Sequence, residues 1–113
     1  MSADLFAPLS IRETTVPNRV MVSPMCQYSC DKRDGRATDW HAQHLQSRAV
    51  GGAGIVMTEA TAVEPRGRNS PEDLGIWDAD HIEPLAAIPS FIKQQGSVSA
   101  IQLAHAGRKA STT

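Results

Sequence analysis

The apolar positions of this chain fall into short blocks separated by stretches rich in polar residues, glycine and proline. Val20–Ser23 is an apolar run with two β-branched valines, the composition of a buried strand. Pro24 ends it, because proline lacks the N–H that a central strand must donate. Gly54–Glu59 is a second run, near-continuous in the manner of a strand covered on both faces, and Ser97–Leu103 is a third, again apolar. Between them the spacing becomes helical. Ala42, Leu45 and Ala49 share one face of a helix predicted from Trp40 to Val50, with Thr38 or Asp39 as its cap and Gly51-Gly52 as its stop. A second helix starts at Asp78 or Asp80, buries Leu85, Ile88 and Ile92, and stops at Gly96. Pro84 suits its first turn, but Pro89 lies inside the pattern and predicts a kink or a cost of about 3 kcal/mol.

Ahead of these blocks, Leu5–Ile11 and Thr14–Val16 carry Pro8 and Pro17, which suits an edge hairpin or surface lead-in. Cys30–Gly35 and Val63–Glu72 read as loops. The order is therefore a short extended hairpin followed by strand, helix, strand, helix, strand. Each crossover is long enough for a right-handed parallel βαβ unit, so the class is α/β. Three parallel strands with two helices on one face leave both edges open and the other face bare, a liability for a complete protein. The chain also stops at Ser111-Thr112-Thr113 with no helix to cover the third strand. All of residues 1–113 are expected to be one part of a single larger α/β domain.

Composition narrows the function without naming it. A length of 113 residues, 41% hydrophobic and 20% charged residues are ordinary for one small globular unit. A net charge of −1 gives no basic footprint for nucleic acid or an acidic membrane. No apolar run approaches the ~20 residues of a membrane span. The opening Met-Ser-Ala-Asp-Leu-Phe lacks a secretory pattern, and two closely spaced cysteines do not make a disulfide scaffold, so the cytosol is the expected compartment.

The candidate chemistry sits just past the first strand. Cys26 and Tyr28 follow the Pro24 break, at the C-terminal mouth where parallel α/β sheets place their reactive groups. Gln102 ends the third strand with an amide that both donates and accepts. Glu59, ending a buried strand, reads as paired with a base that the sequence does not identify. A rival reading is metallic: Cys26-x3-Cys30-x10-His41-x2-His44 superficially resembles a zinc site. Its inner spacings are shorter than usual, and His41 and His44 fit better as capping or packing residues of the first helix.

Five separated motifs add a resemblance. Asn18-Arg19 with Ser23-Pro24-Met25-Cys26-Gln27-Tyr28, Glu59-Ala60-Thr61-Ala62-Val63, Gly67-Arg68, Leu74-Gly75-Ile76-Trp77 and Ile101 to Lys109 are similar, in order, to the N-terminal third of the Old Yellow Enzyme family. Cys26 in place of threonine resembles its thermophilic-like branch. The resemblance implies the first three strands of an FMN-binding TIM (β/α)8 barrel that oxidises NAD(P)H and reduces activated alkenes such as enones. It implies that Ser23, Pro24, Met25 and Cys26 wrap the flavin, that Ala60 allows close backbone approach, and that Gln102 meets the pyrimidine edge. It further implies that Cys26 tunes the flavin and that Tyr28 polarises the substrate carbonyl. His105 and Arg108 are left as structural residues, and the complete protein is expected to be a homo-oligomer. The alternative is a truncated, non-catalytic flavin-binding or interaction fragment.

Overall fold

The computed structural model describes residues 4–111. Residues 1–3 and 112–113, on which the expectations about a leader and the chain end partly rest, lie outside the described residues. A hairpin comes first: β1 (Leu9–Ile11) pairs antiparallel with β2 (Thr14–Val16), and Arg12 turns the chain at φ 54°. Its apolar side chains Leu9 and Ile11 stay exposed, while Val16 is buried.

The second sheet is built on one long strand. β4 (Ile55–Ala62) pairs in parallel with the short β3 (Met21–Val22) at its start and with β5 (Leu74–Gly75) at its end. Along its other edge runs β6 (Val98–Ala104), also parallel. Two sequence expectations need correcting. Val20–Ser23 contributes only the two residues Met21 and Val22 to the ladder, and Met21 is exposed rather than buried. That strand has β4 as its single neighbour among the described residues, so one side has nothing to pack on. β4 in turn runs on past Glu59 to Ala62, because Thr61 and Ala62 find ladder partners on both edges.

The helices lie on one face of this sheet. α1 (Asp39–Val50) follows Thr38, an extended N-cap whose N–H donates to His41 Nδ1 at 2.9 Å. Asp39 in the first turn and Arg48 in the last suit the helix dipole, and Gly52 at φ 98° reverses the chain behind it. The Asp78 side chain accepts the Asp80 N–H at 3.0 Å and opens a 3₁₀ turn, Ala79–His81, that runs into α2 (Ile82–Gln94). Helix α2 continues through Pro89 without interruption. Ile88 and Ile92, on either side of that proline, are fully buried and join Leu45, Ala49 and Val56 in the core. At about 1.5–3 kcal/mol for each large aliphatic side chain buried, this packing outweighs the loss of one helical hydrogen bond at the proline.

Strand β4 also carries an irregularity that positions the site. The register against β6 runs Thr58 to Ile101 and then Thr61 to Leu103, so Glu59 and Ala60 together face Gln102. Strict alternation would put Glu59 on the same face as Met57. The extra residue lets Glu59 lie instead against His41 of α1, with Oε1 3.7 Å from Nε2.

Candidate functional site

Between β3 and β5 the edge of β4 is flanked by the irregular segment 23–28. The Ala60 backbone amide points at the half-buried Cys26 thiol, and the Gln27 N–H donates to Glu59 Oε1 at 3.3 Å. The Gln27 side chain closes the segment on itself and on α1. Its amide nitrogen donates to Met25 O at 2.8 Å, and its oxygen accepts the Trp40 indole N–H at 3.0 Å. Tyr28 follows at φ 52°, a left-handed conformation unusual for a residue with a Cβ, and its side chain is 52% exposed. Cys26, Ala60 and Gln102 thus meet at one end of the sheet, the C-terminal mouth of β4 and β6. Ser23 and Met25 are exposed, Pro24 is half-buried, and Tyr28 projects from the same segment.

The polar groups here are of two kinds. The Ser23 hydroxyl, Tyr28 phenol and Gln102 amide are open to solvent or nearly so, and have no side-chain partner among the described residues. Behind them lies a buried set. Glu59 is 1% exposed and His41 is fully buried. Asp73 is buried too, its Oδ2 accepting the Asn69 and Ser70 N–H groups. Burial, followed by the Asp73 and Glu59 carboxylates, pushes the Cys26 thiol above its ordinary range. It therefore stays an S–H donor rather than a thiolate. Cys30, wholly buried with its S–H on Arg36 O at 3.3 Å, is pushed up to about 12, mainly by burial and then by Glu59. Burial likewise raises the Asp73 carboxyl.

Three of the four residues of the metallic reading have separate occupations, and the fourth, Cys26, lies against the Ala60 amide. Cys30 bonds the 36 carbonyl and His41 serves the α1 cap. His44 stacks on Trp40 with ring centroids 6.2 Å apart. No group of three or more His, Cys, Asp or Glu among the described residues is arranged to hold a metal ion. His105 Nε2 donates to Glu64 Oε1 at 2.5 Å and its Nδ1 accepts the Gly107 N–H at 3.0 Å, tying the loops after β4 and β6 together. That bond, helped by Arg66, holds the Glu64 carboxyl below its usual range.

The loop from residue 63 to 78 is fastened by Arg68. Its Nε donates to Pro65 O at 2.9 Å, and Nη1 donates to Arg33 O at 2.9 Å and Pro71 O at 3.2 Å. The guanidinium lies 5.2 Å from the centroid of the Trp77 ring, which meets His81 edge-on at 4.5 Å. Sequence reasoning missed this hub, the Gln27 clamp and the His41–Glu59 contact. The one local signal was Thr38 three residues before His41, a capping spacing.

Known proteins are similar to this chain in sequence and in fold. A sequence profile described as the NADH:flavin oxidoreductase / NADH oxidase family matches residues 4–113. The chain is 57% identical over 106 residues to an NADPH dehydrogenase of Bacillus licheniformis, covering 94% of this chain and 31% of that protein. It is 49% identical over 110 residues to the NADPH dehydrogenase of Bacillus subtilis, covering 97% of this chain and 32% of that one. Among solved structures, a morphinone reductase in complex with tetrahydroNAD superposes with a TM-score of 0.86 at 27% identity, covering 96% of this chain and 29% of the reductase. A 2-naphthoyl-CoA reductase superposes with a TM-score of 0.90 at 27% identity, covering 95% and 16% respectively. The chain belongs to the NADH:flavin oxidoreductase / NADH oxidase family, the Old Yellow Enzyme relatives, and spans about a third of the length of the curated relatives it matches. FMN is the cofactor that membership implies, with NAD(P)H as reductant. Among the described residues no helix is long and apolar enough to cross a membrane.

Proposed function

We propose that this chain forms the first three strands of an FMN-binding (β/α)8 barrel that takes hydride from NAD(P)H and reduces activated alkenes such as enones. The observation that carries the reading is the mouth of β4 and β6. There the polar side chains of Ser23, Tyr28 and Gln102, without side-chain partners among the described residues, lie on the same segment and strand ends as the Cys26 thiol and the small Ala60. A flavin ring asks for such a set: donors and acceptors for its pyrimidine edge, a weak donor near its reactive edge, and backbone with little side chain in the way.

Bound FMN would supply the hydride chemistry between NAD(P)H and the alkene. The chain's own groups bind and orient. Gln102 offers an N–H and a carbonyl to the pyrimidine edge. Segment 23–26 lines the ring, and Ala60 leaves room for it. Cys26 donates its S–H and, as a weak donor, adjusts the flavin potential without forming a bond. Tyr28 donates its phenol hydrogen to the substrate carbonyl, drawing electron density from the alkene as hydride arrives.

FMN titration of the full-length protein, followed by flavin fluorescence, tests this. Stoichiometric binding is expected, weakened about tenfold by Gln102→Ala, the scale of one or two lost hydrogen bonds, and abolished by Ala60→Leu. A folded protein with no flavin affinity would overturn the reading and leave the non-catalytic fragment.

A further inference from the structure

Glu59 and His41 form a buried polar contact that the flavin-facing roles above do not use. His41 Nδ1 accepts the Thr38 N–H at 2.9 Å, so in the neutral ring the hydrogen sits on Nε2, facing Glu59 Oε1 at 3.7 Å. That separation is too long for a hydrogen bond, and among the described residues His41 Nε2 has no hydrogen-bond partner. Glu59 Oε2 has none either, although both side chains are at most 1% exposed. A buried carboxylate with one oxygen unpartnered is worse for folding than an apolar side chain of the same size. Folding alone does not account for it.

What Glu59 does hold is the Gln27 N–H, immediately after Cys26 and before the left-handed Tyr28. It reaches that amide because the β4 irregularity turns Glu59 to the face covered by α1, while Ala60 stays at the mouth. One strand thus presents two neighbours to the same segment. Ala60 offers its backbone amide to the thiol from the mouth, and Glu59 braces the next peptide from beneath. We propose that Glu59 is a positioning residue for the thiol: its buried carboxylate, set beneath α1 against His41, fixes the 26–28 segment and keeps a negative charge behind Cys26. The purpose of this arrangement rests on the flavin reading, since a thiol held protonated and fixed is a donor for a flavin.

The test measures Cys26 alkylation by iodoacetamide against pH in the flavin-free full-length protein, with Cys26→Ala as the blank and Cys30 shielded by burial. The groups facing the thiol are Glu59 of β4 and Asp73 of the loop before β5. Glu59→Gln keeps an acceptor for the Gln27 N–H but removes the charge. It is expected to lower the alkylation midpoint and raise the rate at pH 8 about threefold. Glu59→Ala also removes the brace, and is expected to raise the plateau rate at high pH, where the thiol is fully ionised. Asp73→Asn should lower the midpoint and leave the plateau as it is. Folded Glu59→Gln protein with the wild-type midpoint would overturn the proposal, and this arm stands even if Glu59→Ala fails to fold. FMN titration of the wild type separates the two readings. Loss of flavin binding with the thiol profile as expected refutes the flavin role alone, and bound flavin with an unmoved profile refutes the role of Glu59 alone.

Discussion

Adding one methyl group at Gly75 should unseat the Trp77 ring and the loop that holds it. An ideal Cβ there would stand 2.0 Å from Trp77 Cζ3 and 2.3 Å from Cε3, well inside any real contact. The indole has little room to yield. A Cβ built on Gly35 would already lie 2.6 Å from its Cη2, so that backbone presses its other end. His81 packs edge-on at 4.5 Å and the Arg68 guanidinium lies 5.2 Å from the ring centroid. Gly75→Ala therefore forces overpacking, at about 1–3 kcal/mol, or expels the ring. Expulsion forfeits the aromatic and cation contacts, each on the order of 1 kcal/mol. Either route predicts a loss of about 2–4 kcal/mol in urea unfolding of the full-length protein, on the scale of those two principles combined. The control is Gly51→Ala. Gly51 has φ −70° and its nearest atom would be the Arg48 carbonyl oxygen at 3.4 Å, so the change should be neutral or slightly stabilising. The decisive comparison repeats Gly75→Ala in a Trp77→Ala background, where the penalty should fall below about 1 kcal/mol once the opposing ring is gone. An undiminished penalty there would refute the steric argument and point to the backbone of β5 itself.

Two further outcomes follow from the thiols. Cys30 is raised from the ordinary 9.0 to about 12 in the folded protein, so its contribution to stability is complete below pH 9 and declines as pH rises toward 12. Urea midpoints should fall across that window, and Cys30→Ala should flatten the fall; an unchanged slope would contradict a buried, protonated Cys30. At the mouth, Cys26→Ala should shift the flavin reduction potential yet leave measurable turnover, as expected of a weak donor. Complete inactivity with FMN still bound would require a more direct role.

Where side chains were numerous and periodic, the sequence disclosed the fold. The stripe of Ala42, Leu45 and Ala49 and the run from Ile55 to Thr58 declare their elements through burial, which is a property of composition. β5 escaped because two residues, Leu74 and Gly75, carry no period, and their pairing depends on where β4 happens to run. Pro89 misled because the burial of Ile88 and Ile92 could be read from their spacing, but the strength of their packing on Leu45, Ala49 and Val56, which outweighs the proline, could not. The mouth followed the same rule. Cys26, Tyr28 and Gln102 could be picked out as chemistry at strand ends. Glu59, however, finds His41 eighteen residues away only through a register irregularity, and no pattern in the sequence records a register.

The Arg68 hub has a consequence for how such a protein can diversify. One side chain joins carbonyls from residues 33, 65 and 71 and covers the ring of Trp77. Inserting or deleting a residue between 65 and 71 would move at least one of these carbonyls out of reach, so this stretch cannot change length as surface loops ordinarily do. Exchange of side chains at exposed positions such as Val63, Arg66 and Asn69 disturbs none of those carbonyls. On this side of the mouth, descendants of the chain are free to respell the loop but not to lengthen it.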